Sequence, residues 1–192
     1  MKTPLVALRV LILMTVITGI AYPLLITGLA AVILPGRASG SLVVASGQTV
    51  GSRLLGQQFT DPRYFWPRPS VVGYNPLPSG GSNLSPTSAS LQLQIADRKT
   101  HLAQLSGSGN IPTDLYLASG SGLDPDISPE AALYQVHRVA AVRGLDSSQS
   151  VAVVRMVQSH TTPRTFGLLG EPRVNVLLLN LALDSLEASG HR

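Results

Sequence analysis

From Val10 to Leu34 the chain runs for 25 residues without a charged side chain. As a helix, such a run spans roughly 37 Å, more than the hydrocarbon layer of about 30 Å that a bilayer presents. Cleaved signal peptides carry apolar stretches of only about 7–15 residues, so the length favours a retained anchor. Lys2 and Arg9 precede the run, and no acid occurs before Asp61. Positive flanks stay on the cytoplasmic side, and long domains cross whatever their own charge. The expectation is a cytoplasmic N-terminus at 1–9, a transmembrane helix at 10–34 and an extracytoplasmic soluble domain at 35–192. Within the anchor, Thr15, Gly19, Pro23, Thr27 and Ala31 recur every four residues. That spacing sets them along one ridge, where small residues let a second helix approach closely. Pro23 is expected to kink the helix, its freed carbonyl being satisfied by packing.

Beyond the anchor, the chain is long enough to bury a core without staples. It has no cysteine, which excludes disulfides, thiolate metal sites and cysteine nucleophiles. Charged residues make up only 12% of the chain, against about 25% in ordinary globular proteins. Twelve basic and ten acidic residues follow the anchor, and the basic ones are not clustered. That balance is too weak for a nucleic-acid footprint.

Leu42–Ala45 and Thr49–Leu55 read as short strands joined at Ser46-Gly47. Residues 59–70 (FTDPRYFWPRPS) are too rich in proline for a helix, and hold the only Trp and two of the three Phe. Residues 74–87 (YNPLPSGGSNLSPT) form a long turn-rich loop, a kind that is usually functional when ordered. A helix is expected over 88–105, with Leu91, Ile95, Leu102 and Leu105 near helical spacing. Asp114–Ala118 reads as a strand, and residues 119–129 as a second loop. Ser128, Pro129 and Glu130 are strong helix-start signals, and Gly144 suits the end of that helix. Leu133, Val136 and Ala140 are its expected buried face. Ser148 is the expected cap of a third helix reaching Ser159. Glu171-Pro172 is expected to open a last helix over 172–187, apolar on nearly every side except at Asn180. The fold class is α+β: one membrane helix, then a single mixed α/β domain with more helix than strand.

Catalytic signatures are missing. There is no phosphate-binding loop, dinucleotide fingerprint, serine elbow or zinc-type histidine pair. Asp124-Pro125-Asp126 suits a side-chain-stabilised turn better than a cation site. The segment Tyr64-Phe65-Trp66 reads either as core packing under a loop or, with Arg63 and Arg68 beside it, as an interface anchor. Contacts to a partner are expected at Tyr64, Phe65, Trp66, Arg68, Asn75, Ser79, Gly80, Gly81, Asn83, Ser121 and Asp124.

The segments GSRLLGQQF (51–59), YFWPRPS (64–70), YNPLPSGGSNLSPT (74–87), DLYLASGSGLDPDISPEAALYQVHRVAAVRGL (114–145) and GLLGEPRVNVLLLNLALD (167–184) carry a resemblance. Together they resemble the C subunit of the Kdp potassium-transporting P-type ATPase, over essentially the whole chain. Ser85, where the family pattern suggests glycine, and Thr161-Thr162-Pro163 depart from it. The resemblance implies an accessory subunit in a bacterial inner membrane, beside a channel-like A subunit and an ATP-hydrolysing B subunit. It implies a catalytic chaperone that raises the B subunit's ATP affinity. ATP and potassium then belong to the complex, with no cofactor, metal or catalytic residue assigned to this chain. The competing expectation is a free-standing, membrane-anchored extracytoplasmic binding protein.

Overall fold

The computed structural model describes residues 3–107 and 109–190. The chain divides into two compact units, one ending at Ser52 and the other beginning at Arg53.

The first unit opens with a continuous helical run, Thr3–Ile33, long and apolar enough to cross a membrane. It comprises α1 (Thr3–Met14), a π-helical segment (Thr15–Ala21) and α2 (Tyr22–Ile33). Arg9 thus lies inside α1. Pro23 explains where the π segment sits. Proline has no N–H, and its ring crowds the carbonyl four residues back. Just before it, the bonding has slipped to five residues, with the Tyr22 N–H donating to the Ile17 carbonyl. The wider turn makes room for the ring. The hydroxyls of Thr15 and Thr18 donate back to the carbonyls of Leu11 and Met14, at 2.8 and 2.7 Å. Neither hydroxyl is left bare on an apolar helix.

A single turn, α3 (Pro35–Ala38), leads to an antiparallel hairpin of β1 (Leu42–Ala45) and β2 (Gln48–Ser52). Its turn is Ser46-Gly47, both at positive φ, which matches the twist of the strands. The second strand stops at Ser52, short of the expected Leu55.

In the second unit, residues 53–88 contain no helix or strand. Then come α4 (Ala89–Ser106), α5 (Thr113–Tyr116), β3 (Asp126–Ile127), α6 (Pro129–Arg143) and α7 (Ser147–Ser159). The unit closes with β4 (Thr161–Thr162), β5 (Arg173–Asn175) and α8 (Val176–Gly190). The three strands form an antiparallel sheet in the order β3-β5-β4. The architecture is mixed α/β with more helix than strand, as expected.

Helix α6 starts as its sequence dictates. The Ser128 hydroxyl accepts from the Ala131 N–H at 3.2 Å, and Gly144 closes the helix at φ +66°. Val139, Val153, Val157, Val174, Leu179 and Leu183 are fully buried and form the core with Phe65. Each such side chain contributes about 1.5–3 kcal/mol of apolar burial. The all-round apolar face of α8 is accounted for by this central position.

Four local expectations are corrected. Residues 113–116 are a helical turn rather than the start of a strand, because the Asp114 carboxylate turns inward to accept the Ser128 N–H at 2.8 Å. Helix α7 is capped by Asp146, not Ser148. The Asp146 carboxylate accepts the Gln149 N–H, and the Gln149 side chain accepts the Asp146 N–H. Residues 173–175 are a strand, so Pro172 opens no helix; their backbone is taken up by pairing with β3 and β4. Leu133 is exposed, whereas Gln135 and Arg138 of the same helix are buried.

Candidate functional site

The proline-dense segment at 62–69 lies along α6 and α8, held by side chains that bond to its backbone. The Asn180 amide accepts the Phe65 N–H at 2.8 Å and donates to the Phe65 carbonyl at 3.0 Å. Gln135 does the same for Trp66, at 2.8 and 3.1 Å. Arg138 is 1% exposed and donates to the carbonyls of Pro62 and Tyr64 and to Gln135 Oε1. Its guanidinium also lies 4.1 Å from the centroid of the Trp66 ring. A segment outside any helix or sheet thus has backbone groups met by amides and a guanidinium.

This placement divides the expected contact residues. Phe65 is fully buried and belongs to the core, not to a surface offered to a partner. Trp66 is half-buried, stacked on His101 at 5.8 Å, with its indole N–H donating to the Asp61 carbonyl. The Tyr64 hydroxyl donates to Asp184 at 3.1 Å, and its ring lies under Arg143.

The two glycine-rich loops, in contrast, come together. The Gly80 N–H donates to the Ser121 carbonyl at 2.9 Å. A Cβ on Gly81 would lie 3.1 Å from the Gly120 carbonyl oxygen. Gly122, at φ +68°, has the Gly80 carbonyl oxygen 2.9 Å from where its own Cβ would be. The Gly56 N–H donates to the Leu123 carbonyl at 2.7 Å, joining a third segment to the seam. Arg68 pairs with Asp124 at 3.1 Å across the same region. The other carboxylate oxygen of Asp124 accepts the Asp126 N–H, so the Asp-Pro-Asp sequence is a side-chain-stabilised turn. Asn75 plays the same part for the Leu77 N–H. Ser79, Asn83 and Ser121 remain exposed around the seam.

Beside it opens a cleft of about 710 Å³. Five carboxylates and three arginines line it, Arg68 and Asp124 among them. A second ion pair joins Asp126 to Arg173 at 3.1 Å, with Asn175 also donating to Asp126. Burial pushes the Asp126 carboxyl above its usual range despite these donors. Arg164 and Glu171 close the cleft with a 2.6 Å pair. Among the described residues there is no group of three or more His, Cys, Asp or Glu that could hold a metal ion.

Tyr74 secures the loop to this surface, its hydroxyl donating to the Arg68 carbonyl at 2.8 Å. Burial raises its pKa from 10.0 to about 12. The phenol ionises more readily in the unfolded chain, so the stability it adds is complete below pH 10 and is lost as pH rises toward 12. Tyr74→Phe is expected to flatten this alkaline loss while costing about 1 kcal/mol at neutral pH. Trp66 fluorescence during urea titrations at several pH values measures both.

In the anchor, Thr15 and Gly19 lie in the π segment, and Pro23, Thr27 and Ala31 lie in α2. All five are exposed in the isolated chain. In an α-helix, a row at every fourth residue drifts about 40° per step. A π turn takes more residues, so the first step drifts less and the row keeps closer to one side.

Sequence reasoning missed Gln135 and Arg138, since a polar residue inside a helix ordinarily faces water. It also missed the hairpin end around Phe166, whose apolar letters suggest core.

Known proteins are similar to this chain over most of its length. The family model described as "K+-transporting ATPase, c chain" matches residues 5–185. The Potassium-transporting ATPase KdpC subunit of Gemmatimonas aurantiaca is 54% identical over 177 residues, covering 90% of this chain and 87% of the relative. The subunit of the same name from Citrifermentans bemidjiense is 52% identical, covering 94% and 96%. That of Geobacter sulfurreducens is 48% identical with the same coverage. A match of this length takes in the apolar helix, the glycine seam and the core helices alike, and the chain belongs to the KdpC family, the c chains of potassium-transporting ATPases.

Proposed function

We propose that this chain is the anchored accessory subunit of an ATP-driven, high-affinity potassium uptake complex. It holds the channel-like A subunit and the ATP-hydrolysing B subunit in a working assembly, and it raises the B subunit's affinity for ATP. The supporting observation is a family match that runs from the anchor to the last core helix, residues 5–185. The N-terminus is cytoplasmic and the second unit lies outside, following Lys2 and Arg9. Only about nine residues then face the compartment that holds ATP, so the effect on ATP travels by coupling through the complex. The chain does no chemistry of its own. The small-residue ridge of the anchor meets a partner helix, and the exposed residues of the seam, Asn75, Ser79, Asn83 and Ser121, meet a partner outside the membrane.

Affinity purification of the tagged chain in mild detergent tests this directly. Co-recovery of two large membrane subunits is expected. Recovery of the chain alone overturns the reading and favours the free-standing binding protein. Gly19→Leu is expected to lower that recovery several-fold by blocking close helix approach; unchanged recovery removes the ridge from the account. A reporter fused after Arg192 is expected to be active only outside the cytoplasm.

A further inference from the structure

Strands β4 and β5 are the two arms of a hairpin whose end carries three large apolar side chains into solvent. Phe166 is 90% exposed, Leu168 82% and Leu169 64%. We propose that this tip is a preformed knob that seats in an apolar pocket on another protein subunit of the potassium-transporting ATPase. The inference rests on the accessory-subunit reading above and adds the element that makes the contact.

The knob is held in shape before anything covers it. Thr165 and Leu169 exchange backbone hydrogen bonds of 2.8 and 2.9 Å across it. The Arg164–Glu171 pair closes its base at 2.6 Å. The arm is rooted in the core by Val174, which is fully buried. Phe166 sits at φ +55°, with Gly167 at +74° and Gly170 at +77°. A bulky residue rarely adopts that backbone region, so the fold accepts strain to point an aromatic ring outward.

That geometry decides the occupant. A bilayer accepts apolar side chains in any arrangement and places no value on a fixed turn. A shaped protein pocket does, because preformed geometry lowers the ordering cost of binding. Phenylalanine is also among the aromatic residues enriched at the cores of protein interfaces. The base of the knob is continuous with the charged cleft: Arg164, Glu171 and Arg173 line it together with Arg68 and Asp124. An apolar anchor beside a charged border is the layout of a protein contact surface.

The test replaces Phe166 and Leu168 together by asparagine. Asparagine tolerates the left-handed backbone, so the turn is kept while the apolar surface is removed. Leu93→Asn serves as control, being 66% exposed on α4. After mild-detergent purification by a tag on this chain, the double variant is expected to retain at least tenfold less of the other subunits. Its urea midpoint and its level in membranes are expected to match wild type, and the control to retain the partners fully. Equal retention by the double variant and wild type overturns the knob alone; wild type recovered without partners overturns the accessory-subunit reading with it. Photo-reactive benzoylphenylalanine placed at position 166 in the full complex is expected to cross-link to another subunit. Adducts only with lipid, only with a second copy of this chain, or none at all overturn the proposal.

Discussion

Asn180→Leu is expected to lower the stability of the second unit by about 4 kcal/mol. The leucine fits the space but offers no hydrogen bonds. Asn180 is 2% exposed and holds both the N–H and the carbonyl of Phe65, itself fully buried. Each buried backbone group left without a partner costs about 1–3 kcal/mol. With a urea dependence of about 1–3 kcal/mol per molar, the unfolding midpoint falls by roughly 2 M. Trp66, the only tryptophan, sits next to the affected residue and reports the transition in the full chain in detergent. A midpoint within a few tenths of a molar of wild type would mean that water or the backbone re-satisfies Phe65, and that the amide clamp is dispensable.

Gly56→Ala is the second large effect. A single methyl there would lie 2.5 Å from the Asp124 carbonyl oxygen and 3.1 Å from the carbonyl carbons of Leu123 and Asp124. These are backbone atoms, held in place by the 2.7 Å hydrogen bond from Gly56 to Leu123. The seam must open to admit the methyl, at about 2–3 kcal/mol. The damage is expected to stay local. Opening the seam shifts Asp124 away from Arg68 and frees the 74–87 loop for proteolysis, while the burial of α6, α7 and α8 is unchanged. Gly80→Ala is the matched control, since nothing lies within 4 Å of its added carbon. If both variants are cut in that loop at the wild-type rate, close backbone approach at Gly56 does not hold the seam together.

What could be read from sequence follows the range of the forces involved. Helix α6 was legible because Ser128, Pro129 and Gly144 act within a few residues of themselves. The Ser46-Gly47 hairpin turn was legible for the same reason. Strands β3 and β5 are two and three residues long and exist only through pairing, β3 with β5 and β5 with both β3 and β4. No local pattern marks them, and Glu171-Pro172 imitates a helix start. The site shows the same division. The loops at 74–87 and 119–129 are identifiable as loops, but that Gly81 faces Gly120 depends on where the whole domain sets two backbones. Arg138 escaped notice because its partners are carbonyls at Pro62 and Tyr64, more than seventy residues away. Phe166 escaped because exposure of an apolar residue leaves no trace in composition.

The π segment ahead of Pro23 bears on which membranes suit this chain. Val10–Ile33 as a plain α-helix measures about 36 Å, several ångströms more than a hydrocarbon layer of about 30 Å. Excess length is ordinarily absorbed by tilt or by thickening of the lipid. A turn that spends extra residues on one circuit advances less for each of them, and so absorbs part of the excess inside the helix itself. A span shortened in this way needs less tilt to fit a given bilayer, and Pro23→Ala, by restoring the α-helical rise, is expected to shift its preference toward thicker ones, as read by partitioning between vesicles of short- and long-chain lipid.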